Sequence, residues 1–374
     1  MKQNHTILQI IYYETVVKNK IKKNQMKNIA ALALISSIAL ISCKKETAKI
    51  TKVDPKTGKT VTVEVPADSV AKVAENPAIK DSAGVIKQTF KLEKGKTYPL
   101  TTYQRDVKTM TDPQGKSITA TSESTDEMNF VVNDIKGDVY EMTLNLVAKR
   151  NSQSAQGKTV VVDTKLALPK EDDLKMIWNV NKALTGNKLA MKMDTKGNVI
   201  SITGFDAVYT KVSNAVGTLI KDANQKASVV ASLKESFNEK VLKDQFHKNL
   251  MIIPKKGVKI GEKWSTSENA DASGAVKVTS NYVMKSLGNG TAEIAVTGGI
   301  PKKTEKKAQG PITHSLSSEL VQNGTIKFDE STGWITNQNI NVKTTQIETI
   351  SDGKQSQSMK SVSNSSVMVN PSAK

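Results

Sequence analysis

The chain has little of three things that proteins use to hold themselves together or to do chemistry. Cys43 is the one cysteine in 374 residues, so no disulfide within the chain can form and packing must hold the fold. Aromatic residues make up only 4% of the sequence, whereas Thr, Ser, Val and Lys abound, a composition suited to long, half-solvated antiparallel strands. From Cys43 onward the only histidines are His247 and His314, with no His-x-His or His-Glu-x-x-His spacing to build a zinc site. No Gly-x-Ser-x-Gly elbow and no calcium loop of the EF-hand type is present. Thr57-Gly58-Lys59-Thr60 resembles the end of a phosphate-binding loop, but Val53 stands where its first glycine belongs. Glu171, Asp172 and Asp173 precede a helical pattern, where capping explains them. No catalytic residue, metal ligand or cofactor is expected, and an enzyme is not the first reading.

What is present begins with Met26–Cys43. Lys27 supplies a positive charge, and Ile29–Ile41 has no charged residue. A transmembrane helix needs roughly 20 apolar residues, so this run suits a signal-peptide core better than a span. Leu40-Ile41-Ser42-Cys43 resembles the bacterial lipobox. That resemblance implies a diacylglycerol on Cys43, cleavage before it, and a stable membrane anchor from two or three acyl chains. Met26 is accordingly read as the start of translation, residues 1–25 as an over-called reading frame and residues 26–42 as the signal peptide.

Residues 1–42 hold six Lys and one Glu, which leaves about +13 of the net +18 on the chain from Cys43 onward. The lysines do not cluster with aromatic residues, so no nucleic-acid partner is expected; a solvated lysine-rich surface is the simpler reading. The densest run, Lys302-Lys303-Thr304-Glu305-Lys306-Lys307 between Pro301 and Pro311, reads as a solvated loop.

Residues 43–84 read as a flexible tether, interrupted by a hairpin of Ile50–Val53 with Val61–Val65. Within it, Asp68-Ser69-Val70 and Asp81-Ser82-Ala83 resemble the Asp-Ser/Thr-apolar site that Bacteroidetes-type bacteria O-glycosylate, which would make Ser69 and Ser82 acceptors. Residues 85–204 form a first β-rich unit. Its clearest strand alternates Tyr140, Met142, Leu144, Leu146 and Ala148 with Glu141, Thr143, Asn145, Val147 and Lys149. A helix opens near Pro169, carries Leu174, Ile177, Trp178 and Leu184 on one face, and stops before Gly186. Residues 205–250 read as two helices broken near Asp222–Gln225, with a stripe of Leu233, Phe237, Val241 and Phe246. Residues 251–370 form a second β-rich unit. The three tryptophans, Trp178, Trp264 and Trp334, read as core anchors.

The two β-rich units match in order. Gly95–Tyr98 corresponds to Gly261–Trp264, Val132–Leu144 aligns without a gap on Met284–Val296, and the turn Asp194–Gly197 echoes Asp329–Gly333. The expected fold is therefore α+β, mainly antiparallel β, with two similar β-meander units joined by a helical pair. Gly95 with Tyr98, the Asp194–Gly197 turn leading to Gly204-Phe205, Pro254 followed by Val258–Trp264, and Gly324–Asp329 with Gly333-Trp334 resemble a domain family of unknown function found in lipoproteins of Bacteroidetes-type bacteria. The resemblance covers roughly residues 86–369 and brings no activity or catalytic residues with it.

Three readings follow. The first is a lipid-anchored, non-enzymatic binding or scaffold protein of the envelope, on the outer membrane facing the periplasm or on the cell surface, with a protein or glycan partner. The second is a carrier with a lipid or other hydrophobic ligand between sheet and helices. The third is a hydrolase with an unrecognised site. An apolar cavity would favour the carrier, a polar groove with a strongly perturbed carboxylate the hydrolase, and a filled core the scaffold.

Overall fold

The computed structural model describes residues 47–53 and 60–66 as backbone, and residues 77–270 and 276–371 with side chains. Strands β1 (Thr47–Val53) and β2 (Thr60–Pro66) pair antiparallel as the expected hairpin. A second hairpin, β3 (Ile79–Ser82) and β4 (Val85–Gln88), falls partly within the stretch expected as a tether. Ala78 and Ile79 are wholly buried, so from Ala78 the chain is packed against the fold rather than free.

Twelve strands form one antiparallel sheet. The first set comprises β5 (Thr97–Thr111), β6 (Ser117–Lys136), β7 (Val139–Ala155), β8 (Lys158–Asp163), β9 (Lys188–Asp194) and β10 (Val199–Thr203). The second comprises β11 (Lys263–Asn269), β12 (Lys277–Gly288), β13 (Thr291–Gln309), β14 (Ile312–Asp329), β15 (Ile335–Ser351) and β16 (Ser356–Val369). Their order is β10-β9-β7-β6-β5-β16-β15-β14-β13-β12-β11, with β8 pairing β7 beside that path. The two sets thus share one sheet, and β16 is the seam between them.

Helix α1 (Asp172–Leu184) sits between β8 and β9. Pro169 lies outside it, and its buried residues are Val180, Asn181 and Leu184, while Leu174, Ile177 and Trp178 are half-buried. Between β10 and β11 the expected helical pair is three helices: α2 (Phe205–Gly217), α3 (Ala223–Ser236) and α4 (Glu239–Leu250). Asp222 caps α3 by accepting from the Gln225 N–H, as the break near 222 foretold. The second break comes from Asn238, whose side chain accepts from the Val241 N–H. It rotates the apolar stripe so that Leu242 is buried in place of Val241.

Helix α4 reveals that the sheet is rolled. Glu239 accepts from the Ile202 N–H and Lys243 donates to the Ile200 carbonyl, both on the edge strand β10. Lys248 pairs with Glu268 on the opposite edge strand β11, and Trp264 Nε1 donates to the Ile252 carbonyl just past the helix. A flat sheet in this order would hold these edges about 48 Å apart, ten strand spacings, whereas a 12-residue helix is only about 18 Å long. The sheet therefore curls until one short helix spans its gap.

The inner face of one end is the core. Even positions Leu100 on β5 and Phe130 and Val132 on β6 are buried beside Met142 and Leu144 on β7 and Leu189 and Met191 on β9. Ile294 and Val296 on β13, Ile326 and Phe328 on β14 and Val369 on β16 continue the layer. Phe246 of α4 meets Phe130 edge-on at 5.1 Å, and Trp334 meets Phe130 at 5.2 Å and Tyr98 at 5.4 Å. Residues 78–92 close this end from below. Ile79 donates to Glu330, Ile86 to Val258 and Phe90 to Thr195, each through the backbone.

Away from this base part of the sheet runs on with both faces solvated. Here Lys302–Lys307, expected as a loop, is strand: β13 continues to Gln309 in register with β14, Lys303 opposite Ser318 and Gln309 opposite Ile312. All six residues are exposed, so charge on both faces carries no cost. Gly298 and Gly299 precede them, with φ of 142° and 141°. A Cβ there would collide with the carbonyls of Thr279 and Leu320 on the two neighbouring strands.

Local hydrogen bonds recur between the two strand sets. Gly95 (φ 81°) donates to the Val132 carbonyl at 2.8 Å, and Gly261 (φ 81°) to the Met284 carbonyl at 2.8 Å. A register shift follows Val132 against β7 and Met284 against β13. Thr195 donates to Asp138 at 2.9 Å, and Glu330 to Gly290 at 2.9 Å. Their placement differs: β5 lies inside the sheet, beside β16, while β11 is an edge.

Candidate binding groove

The sheet's outer face carries a groove of about 420 Å³ across β14, β15 and β16. Strand register builds it in rows. Asn323, Asn341 and Ser366 lie side by side, then Val321, Lys343 and Asn364, then Glu319 beside Thr345. Because side chains alternate across a strand, these positions all reach one face. The Ser366 hydroxyl donates to Asn341 Oδ1 at 2.8 Å, which orients that amide.

The rows continue onto β5, where Arg105 stands opposite Ser366 and Val107 opposite Asn364. Glu123 on β6 then gathers three groups: Arg105 and Arg150, each at 3.4 Å, and the Tyr103 hydroxyl at 3.1 Å. Burial first, and then the Glu123 charge, raise the Tyr103 pKa, so this phenol stays protonated and donates. The whole surface offers amides, hydroxyls and charges of both signs, with donors and acceptors interleaved.

The residues singled out in the sequence lie elsewhere. Cys43 and Ser69 fall outside the described residues. Ser82 ends β3 and is exposed on the hairpin under the base. His247 is exposed on α4 and His314 half-buried on β14. Among the described residues no three metal-ligating side chains converge. Asp172 pairs with Lys175, which holds its carboxyl below the ordinary value. Asp134, Glu141, Glu239, Glu262 and Glu305 are also held low, by lysines or backbone N–H groups. Each tryptophan donates its indole N–H to a backbone carbonyl: Trp178 to Asp163, Trp264 to Ile252 and Trp334 to Pro99. Only Trp334 is fully buried; Trp178 and Trp264 are half-buried.

A rolled antiparallel sheet, plugged at one end and polar on its outer face, is the class of structure in hand. Residues 137–335 match the family of unknown function DUF6263, and the chain belongs to that family. No curated protein matches it. Among solved structures it is similar to one on lipid–protein interactions in lipovitellin, with 13% identity over 76% of this chain and a TM-score of 0.33. The chain spans 26% of that protein's length. An outer membrane channel from Pseudomonas putida F1 is 9% identical over 75% of this chain and 97% of its own, with a TM-score of 0.17. Pseudomonas aeruginosa OccK5 (OpdH) is 6% identical over 72% of this chain and 98% of its own, with a TM-score of 0.15. Among the described residues no helix is long and apolar enough to cross a membrane.

Proposed function

We propose that this protein is a non-enzymatic binding protein of the bacterial envelope, tethered by lipid on Cys43, that holds a polar chain of glycan type in the groove over β14–β16. The observation that carries this reading is the lining: Asn323, Asn341, Asn364, Ser366 and Thr345 in register, where paired amides and hydroxyls match the donors and acceptors of a sugar. Lys343 and Glu319 suit a ligand bearing its own charge. The filled space between α4 and the sheet, with Phe246, Leu242 and Leu250 at most 2% exposed, favours it over the lipid-carrier reading. The carboxyls of Glu141 and Glu262, half-buried and held below their ordinary pKa, favour it over a hydrolase.

The exposure of Ser82 is compatible with O-glycosylation there, and the same modification is proposed for Ser69. Anchoring on the outer membrane, facing the periplasm or the cell surface, follows from the lipobox reading. The recurring hydrogen bonds at Gly95 and Gly261 support an internal duplication that drifted as helices entered one copy.

The chain from Lys44 onward contains every described element and is the material for the test. Titration with oligosaccharides cut from bacterial envelope polysaccharide, read by calorimetry, should give saturable binding. Asn341→Leu together with Asn364→Leu should abolish it without moving the melting temperature. A lipid that co-purifies under native mass spectrometry, with no sugar bound, would replace this reading by the carrier.

A further inference from the structure

The two edges of the rolled sheet are treated differently. On β10 the free backbone groups are capped by α4, with Glu239 on the Ile202 N–H and Lys243 on the Ile200 carbonyl. On β11 they are not. Met284 donates to the Glu262 carbonyl, which sets the even positions of β11 toward β12. Lys263, Ser265, Ser267 and Asn269 therefore aim their N–H and C=O groups outward, where no described residue meets them. All of β11 except Trp264 is exposed.

The corresponding edge of β5 shows how such groups are otherwise met. Thr101 exchanges two hydrogen bonds with Asn370, the Pro99 carbonyl accepts from Trp334, and β16 pairs with everything beyond. An edge left bare in this way is a template for one more antiparallel strand.

We propose that a second copy of this chain supplies that strand, its β11 pairing with the first about a two-fold axis at Thr266. The centre of β11, Ser265-Thr266-Ser267, is symmetric about that residue. In this register Ser265 faces Ser267 of the second copy, Thr266 faces Thr266 and Lys263 faces Asn269. Trp264 faces Glu268, so no like charges meet. Hydroxyl pairs across strands are already this sheet's habit: Thr109 with Thr119 at 2.9 Å, Ser154 with Thr159 at 2.7 Å and Thr349 with Ser358 at 2.8 Å. This register joins two rolled sheets edge to edge.

The full chain carrying Thr266→Cys tests this directly. Thr266 sits at a non-hydrogen-bonded pair, where Cα atoms lie about 4.5 Å apart, within disulfide reach. Mild oxidation should give a covalent dimer whose joined peptides both contain position 266. Analytical ultracentrifugation of the unmodified chain should show a concentration-dependent dimer. Ser265→Pro removes one outward N–H and places in β11 the residue that Pro99 already is in β5. It should weaken dimerisation by roughly tenfold or more while the fold is kept. If that variant misfolds, Ser265→Lys with Ser267→Lys sets like charges opposite each other across the axis and should have the same effect. A chain that stays monomeric with no link between the two introduced thiols, or a Thr266→Cys variant that crosslinks to a different protein instead, overturns the proposal.

Discussion

Replacing Trp334 should cost more stability than any other single change at the base, and the cost can be divided. The side chain is 3% exposed and touches the rings of Phe90, Tyr98 and Phe130 at 6.3, 5.4 and 5.2 Å. Its indole N–H meets the Pro99 carbonyl at 2.8 Å, and that carbonyl also accepts from Asn370 Nδ2 at 3.2 Å. Trp334→Phe therefore removes a hydrogen bond without orphaning its acceptor, a loss of about 1 kcal/mol. Trp334→Ala removes the ring as well and leaves a cavity, for a total of about 4–5 kcal/mol. With an unfolding entropy of about 2.1 cal/mol/K per residue over roughly 290 ordered residues, these become drops of about 2 °C and 7–8 °C in melting temperature. Thermal unfolding followed by near-UV circular dichroism would measure both. If Trp334→Ala melted within about 2 °C of the parent, the base would not be the anchor inferred from these contacts. If both variants fell equally, the hydrogen bond rather than packing would dominate.

Three further outcomes are expected. The Tyr140 hydroxyl donates to the Phe90 carbonyl at 2.8 Å and accepts from the Leu92 N–H at 3.2 Å, so Tyr140→Phe should cost about 2 kcal/mol, read as a lower urea midpoint. Burial raises the pKa of Tyr140 above the ordinary 10.0, which favours the neutral phenol in the folded state. Its stabilisation is complete below about pH 10 and is lost as pH rises through the folded value, so the Phe variant should lose less stability between about pH 9 and pH 12. Gly299→Ala forces a Cβ onto a backbone with φ of 141° and against the Leu320 carbonyl; it should cost about 2 kcal/mol or more and speed hydrogen exchange in the outer halves of β13 and β14.

The fold was legible where one face of an element is buried and the other wet. Tyr140, Met142 and Leu144 alternate in the sequence because the sheet has an inside at its base, and all three are buried there. Lys302–Lys307 was not legible, because a strand solvated on both faces has no alternation to detect; the register of β14 holds it. Asn238 was hidden in an apolar stripe that runs straight across the break it makes. The groove left little trace either. Its residues are ordinary polar types, every second position of three strands, and only their pairing brings Asn323, Asn341 and Ser366 together. Three neighbouring strands rich in Asn, Ser and Thr were the one available sign.

The seam strand has a consequence for how the molecule is made. Of the strands in this sheet β16 leaves the ribosome last, yet it holds β5, near the start of the folded region, through the pairing of Thr102–Thr111 with Val369–Lys360. Contacts that close a loop of roughly 250 residues form slowly. Until β16 has been made, the long edge of β5 has no neighbour, and a nascent chain in that state is open to wrong pairing with its siblings. Export before folding would remove that hazard, since the seam could then close on a finished chain. Loss of the last strand would leave two half-sheets, each with an extra raw edge, rather than one slightly smaller protein.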